Sequence, residues 1–264
     1  MGRYPSRIVC LTEEPTEVLY SLGCEDRIVG ISRFTKRPPE ARQDKPRVSA
    51  FTSADVGRIL ELEPDLVIGF SDIQADIAHD LIKAGAEVWI SNHRTVQGIL
   101  GYVRRLGALV GKGREAEAWA DDLERHVDAV RHAGRALSRA PKVYFEEWDD
   151  PMITCIGWVS ELIEIAGGVD VFSNKSQASL AADRIIEDPL EVVERDPDLL
   201  MASWCGKKYR PEKVWERTGW EVLEPVRTRT AHEIPAEIIL QPGPAALTDG
   251  LDQLHRIIAD WALA

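Results

Sequence analysis

Two α/β lobes with mainly parallel sheets, joined by one long α-helix, are what this sequence predicts, on three observations. Short apolar runs alternate with helical patterns through the first part of the chain, a charged stretch near the middle has helical periodicity and no strand signal, and after it the first pattern returns. At 264 residues the chain can form two compact lobes of roughly 110–130 residues, each burying a core of its own.

The first lobe is expected over 1–112. Strands are expected over 7–11, 27–31, 65–70 and 87–90, with helices over 16–22, 54–62 and 73–84 between them. Leu66-Val67-Ile68-Gly69-Phe70 is apolar throughout instead of alternating, as in a strand covered by helices on both faces. Beyond Gly113, Ala116, Trp119, Leu123, Val127, Val130 and Leu137 recur at helical spacing among many charges. They predict a linker helix over 113–139, about 35–40 Å long at 1.5 Å per residue. Gly111 and Gly113 punctuate its start, and Pro141 keeps it from running into the next segment.

The second lobe, 140–264, is expected to hold a strand over 142–146, a helix over 159–166 closed by Gly167 and Gly168, a helix over 190–194 and a strand over 198–203. The letters repeat as well. Glu17-Val-Leu-Tyr-Ser-Leu-Gly23 parallels Glu161-Leu-Ile-Glu-Ile-Ala-Gly167, and Leu60-Glu-Leu-Glu-Pro-Asp-Leu66 parallels Val193-Glu-Arg-Asp-Pro-Asp-Leu199. In the second pair a helix ends just before a proline and a strand follows within two residues. Each lobe is therefore expected to be a Rossmann-like α/β unit, with a ligand in the cleft between lobes, near the carboxyl ends of the strands.

Charge and composition narrow the partners. With 44 acidic against 32 basic residues the net charge is −12, which argues against nucleic acid or an anionic membrane surface as the main partner. No run of about 18 apolar residues occurs, so nothing is expected to span a membrane. Cys10, Cys24, Cys155 and Cys205 form no CxxC pair and no zinc-cage spacing; free thiols are expected, with one disulfide as the alternative. The sequences GxSxG, GxxxxGK[ST] and HExxH are absent, and no GxGxxG follows a strand. The protein is expected to be no enzyme and to carry no metal or cofactor of its own.

The motifs together carry a resemblance. Arg7-Ile-Val-Cys-Leu-Thr12, Thr16-Glu-Val-Leu-Tyr-Ser-Leu-Gly23, Ile28-Val-Gly-Ile-Ser32, Arg37-Pro-Pro-Glu-Ala41 and Leu62-Glu-Pro-Asp-Leu-Val67 come first. Trp158-Val-Ser-Glu-Leu-Ile-Glu-Ile-Ala-Gly-Gly168, Asp196-Pro-Asp-Leu199 and Gln241-Pro-Gly-Pro244 follow. In this order, over nearly the whole chain, they resemble the helix-hinged periplasmic binding proteins of ABC transporters, whose ligands are vitamin B12, ferric siderophores and haem. Glu147-Trp148-Asp-Asp-Pro151, Gly157-Trp158 and Trp204-Cys-Gly206 look most like the cobalamin-binding branch.

The resemblance implies a monomeric solute-binding protein that holds cobalamin or another corrinoid, for ABC-type uptake or intracellular scavenging. The ring would be lined by Phe34, Phe51 and Phe70 from the first lobe and Trp148, Trp158 and Trp204 from the second, because a large flat ligand needs broad apolar faces. Lys207, in a basic knot with Lys208 and Arg210, would grip its propionate, phosphate or amide groups. Trp89, Trp119, Trp215 and Trp261 are expected in the core, and His79, His93 and His232 are the histidines within reach of a cleft. Glu146-Glu147-Trp148-Asp149-Asp150 reads as a loop, either a solvated face or a holder of a cationic group.

Two alternatives stay open: a ferric siderophore or haem as ligand, and a cytosolic interaction or regulatory protein on the same fold. In members that dock to a permease, a surface glutamate on each lobe meets permease arginines; Gly57 and Leu190 stand at those positions here, with Glu191 one residue away in a different direction. The opening MGRYPSRIVCL has no apolar export segment before Cys10. An extracytoplasmic location is expected if a signal has been removed, and a cytoplasmic one otherwise.

Overall fold

The computed structural model describes residues 3–264, which divide into two compact units. The first comprises residues 3–93, Gln97–Leu123 and Gln241–Pro244; the second comprises Arg94–Val96, Glu124–Leu240 and Ala245–Ala264. The long helix runs Gly113–Arg135, four residues short of the expected end, and the divide falls inside it. Near its end Gly134 lets the helix backbone approach the chain at Ile165–Gly167, since a Cβ there would stand 2.6 Å from the Ile165 carbonyl oxygen. Gln241–Pro244, from the sequence region assigned to the second lobe, belongs with the first unit.

The first unit holds a fully parallel five-stranded sheet: β1 (Ile8–Cys10), β2 (Ile28–Ser32), β3 (Arg47–Ser49), β4 (Leu66–Phe70) and β5 (Val88–Ser91), in the order β3-β2-β1-β4-β5. From β1 the chain steps outward through β2 to β3, then crosses back to β4 and β5. The order therefore reverses between β1 and β4, and their carboxyl ends open the crevice where doubly wound sheets bind. Val9, Leu11, Val48, Ile59, Val67 and Leu81 pack the core between this sheet and its helices. Edge strand β3, three residues long, was too short for its apolar pattern to predict.

The second unit holds β6 (Lys142–Asp149), β7 (Met152–Thr154), β8 (Val169–Asp170), β9 (Leu199–Ala202) and β10 (Ala231–Glu233), in the order β10-β9-β6-β7, with β8 also on β6. Only the β6–β7 pair is antiparallel. The helix Gly157–Ala166 ends on Gly167 with φ of 102°, the left-handed cap the double glycine predicted.

The sequence repeat does the same mechanical work in both sheets. Glu63 and Asp196, each just before a proline, adopt left-handed φ of 47° and 50°, which turns the chain out of its helix. Two residues on, Asp65 accepts from the backbone N–H groups of Ser6 and Arg7 at 2.8 and 2.9 Å, and Asp198 accepts from that of Lys142 at 2.7 Å. Each carboxylate thus ties the start of its strand to the start of the neighbouring central strand. Burial pushes the Asp65 carboxyl up, but the Arg7 and Ser6 N–H groups outweigh it and hold the group below its ordinary value. Asp65→Ala should lower stability by about 2 kcal/mol at neutral pH. Because the folded value lies below the unfolded one, the difference from the parent should shrink as the pH falls into the acid range; an equal loss at acid and neutral pH in chemical denaturation would contradict this role.

Four free cysteines, three of them buried, replace any disulfide. No described helix is long and apolar enough to cross a membrane.

Candidate ligand-binding faces

Each sheet presents its carboxyl end as a separate face. In the first unit Gln74 stitches that end together: its Oε1 accepts from Phe70 N–H at 2.9 Å and its Nε2 donates to the Phe51 carbonyl at 3.1 Å. Ser49 Oγ donates to the Leu11 carbonyl at 3.0 Å, joining β3 to the chain leaving β1. Phe34 is 40% exposed with the Arg33 guanidinium 5.8 Å from its ring centre, and Phe51 is half-buried. An open groove of about 480 Å³ lies alongside, lined by Arg33, Ser49, Ala50 and Asp55 among others.

Phe70 differs. It is 4% exposed and meets the His93 ring edge-on at 5.4 Å. His93 in turn stacks on Tyr102, which stacks on Trp89. The imidazole bridges Ser91 Oγ at 2.6 Å and the Pro242 carbonyl at 2.7 Å, so it binds Gln241–Pro244 to this unit and does not reach out to a ligand. His79 is exposed beside Asp80.

Behind this face Glu14 opens the helix Glu14–Ser21 and is buried. Thr12 Oγ1 donates to its Oε1 at 2.7 Å, while Oε2 has no protein partner. Burial raises its carboxyl from 4.5 to about 7. The folded value exceeds the unfolded one, so the stability linked to this proton is complete below the unfolded value and is lost as pH rises through the folded value. The change is about 3 kcal/mol. Glu14→Gln, which keeps the neutral form, should flatten the dependence of Tm on pH between about pH 4.5 and about pH 7. Parallel curves for the two proteins would rule the carboxyl out as the source.

The second unit's face is denser. Its carboxylates lie on a strand, because β6 continues to Asp149 instead of giving way to the expected loop. A bulge opposite β7 between Glu146 and Trp148 interrupts the alternation at Glu147. Glu146 is buried and takes both Arg217 nitrogens at 2.5 and 3.0 Å, Trp204 Nε1 at 3.0 Å and Tyr144 OH at 2.9 Å. Glu147 takes a two-pronged pair from buried Arg184 at 2.6 and 3.1 Å. Asp149 accepts from Lys213 at 2.8 Å and from Lys207. Glu146, Glu147 and Asp149 are therefore neither on a solvated loop nor an open cation site; Asp150, in the turn after β6, is exposed. The cations Arg184, Lys213 and Arg217 lie far along the chain and carry no local sequence signal.

The three tryptophans separate. Trp148 is half-buried, with Nε1 donating to the Asp150 carbonyl at 2.8 Å and the Lys207 ammonium 3.7 Å from its ring centre. Trp204 and Trp158 are each 3% exposed. Trp204 is closed in by Glu146 and by the Tyr209 ring at 5.0 Å, and Trp158 donates to the Ile239 carbonyl at 2.9 Å. Trp220, which the sequence did not single out, is fully buried and donates to the Pro189 carbonyl at 3.0 Å.

The sequence profile of the family described as "Periplasmic binding protein" matches residues 8–238. The chain belongs to this family. A relative named "Vitamin B12-binding protein" from Vibrio parahaemolyticus is 26% identical over 244 residues, 91% of this chain and 85% of its own. Two solved structures share the fold. The periplasmic vitamin B12 binding protein BtuF of Vibrio cholerae has a TM-score of 0.76 at 21% identity, covering 97% of this chain and 98% of that one. The periplasmic heme-binding protein RhuT from Roseiflexus sp. RS-1, in apo form, has a TM-score of 0.83 at 22% identity, covering 97% and 99%.

As a periplasmic binding protein the chain is a solute-binding protein of a non-enzymatic family. Among the described residues no group of three or more His, Cys, Asp or Glu side chains could hold a metal. Gly57 is exposed on the helix Val56–Glu61, and Leu190 is exposed at the start of the helix Leu190–Arg195, where Glu191 is engaged by Arg195 at 2.6 Å.

Proposed function

We propose that this protein takes a corrinoid, cobalamin foremost, as its solute, for uptake through an ABC permease or for scavenging inside the cell. The reading draws on the relatives named for vitamin B12, and the observation that carries it is Trp148: an indole held by its own N–H at the end of β6 and partly open to solvent. Phe34 and Phe51 offer comparable surfaces in the first unit. Aromatic rings supply large contact area with few rotatable bonds, which suits a macrocycle. Phe70, Trp158 and Trp204 act from behind, fixing the shape of each face without touching the ring. Docking to a permease, on this reading, does not use glutamates at Gly57 or Leu190.

Calorimetric titration with cyanocobalamin, haem and a ferric hydroxamate siderophore tests the proposal, with tryptophan fluorescence as a second readout. Saturable, equimolar cobalamin binding that weakens in Phe51→Ala supports it. Binding of haem or the siderophore alone replaces the solute, and no binding to any of the three moves the function to protein interaction.

A further inference from the structure

Among the paired groups at the end of the second unit's sheet, four cations face three carboxylates. Two of the cations each have a glutamate of their own. Arg184 and Arg217 each engage one glutamate through two nitrogens, and both side chains are largely buried. Asp149 is the exception, because one carboxylate serves both Lys207 and Lys213. Its side chain is 2% exposed, whereas those of Lys207 and Lys213 are 30% and 50% exposed.

An ammonium has three donors and no acceptor, and Asp149 takes one donor from each lysine. The pair thus faces solvent with one charge in excess. Gly206, at φ of 75°, turns the chain after β9 so that Lys207 returns over the end of β6, 3.7 Å from the Trp148 ring centre and 4.9 Å from that of Trp204. The surplus charge therefore sits against the indole that carries the proposed function. Burial, and then the neighbouring Lys213 charge, hold the Lys207 ammonium below its ordinary value against the opposing pull of Glu146. Asp150, Lys208 and Arg210 nearby are exposed, where solvent and salt screen them.

We propose that Lys207 and Lys213 form an anion subsite that receives one negatively charged oxygen group on the rim of the flat solute, the phosphodiester of a cobalamin. The inference rests on the corrinoid reading. The amides around a corrin rim are neutral and call for no charge, whereas a phosphodiester carries one negative charge and accepts from two ammoniums at once.

The test compares cyanocobalamin with dicyanocobinamide, which lacks the nucleotide loop and its phosphodiester, in the parent protein and in Lys207→Gln, Lys213→Gln and Lys213→Arg. Circular dichroism and Tm establish that each variant is folded. The parent should prefer cobalamin by about tenfold, and the preference should weaken as salt rises. Each glutamine variant should lose most of that preference, and Lys213→Arg should keep it. Equal affinities in the parent, or a preference unchanged in both glutamine variants, would overturn the subsite and leave the corrinoid reading standing. If neither corrinoid binds, that reading fails, and haem against its dimethyl ester decides the subsite. A preference for the free propionates that Lys213→Gln removes would sustain an anion site for another solute; equal binding, or none, would end it.

Discussion

Arg184→Met should lower stability by about 3 kcal/mol or more and Tm by about 6–12 °C. The guanidinium is 2% exposed, pairs with both Glu147 oxygens and donates to the Thr154 carbonyl at 2.6 Å. Methionine fills much of the volume but leaves Glu147 without its cation and the Thr154 carbonyl without its donor. Removing one partner of a buried pair costs more than the pair is worth, because the remaining charge is then uncompensated. Arg184→Met with Glu147→Gln should therefore recover part of the loss, and the coupling between the two changes measures the pair. Thermal unfolding of the four proteins decides it. A single variant within about 1 °C of the parent would mean that water reaches Glu147 and replaces the guanidinium.

How far the sequence could be read follows from where each residue finds its partners. The helix–turn–strand units around Pro64 and Pro197 were legible because their signals are local, a proline that ends the helix and an apolar strand within two residues, whereas the left-handed residue before each proline and the aspartate tie after it are seen only in the structure. The long helix was legible from its period. The end of β6 was not, since four of the five residues at 146–150 are acidic and read as a loop. Glu146, Glu147 and Asp149 lie on β6 because cations 37 to 71 residues away neutralise them, while Asp150 stays exposed in the turn beyond. Of the six aromatics expected to line a ring, Phe34, Phe51 and Trp148 are open to solvent and the other three are buried. The resemblance placed Phe70, Trp158 and Trp204 against a ring, yet His93, the Ile239 carbonyl and Glu146 close over them. Gln241-Pro-Gly-Pro244 was recognisable as a motif, but its place in the first unit depends on a hydrogen bond to His93 that spans 149 residues.

Trp148→Ala should weaken cobalamin binding by about tenfold to a hundredfold while Tm stays within about 2 °C of the parent. The indole is half-buried, its N–H is satisfied by the adjacent Asp150 carbonyl, and its removal leaves Lys207 still paired with Asp149. Little of the second unit's core depends on it. Trp158→Phe provides the contrast. That ring is buried in the helix Gly157–Ala166, and phenylalanine cannot donate to the Ile239 carbonyl, so the variant should lose about 1–3 kcal/mol of stability. Its affinity for cobalamin should stay within about threefold of the parent, because no face of the ring is open to a solute. The two residues lie ten positions apart and differ in exposure, Trp148 half-buried and Trp158 closed off. A Trp158→Phe variant that keeps its Tm and loses cobalamin would reverse the assignment. It would make the buried tryptophan a ligand contact that the solute reaches only after the second unit rearranges.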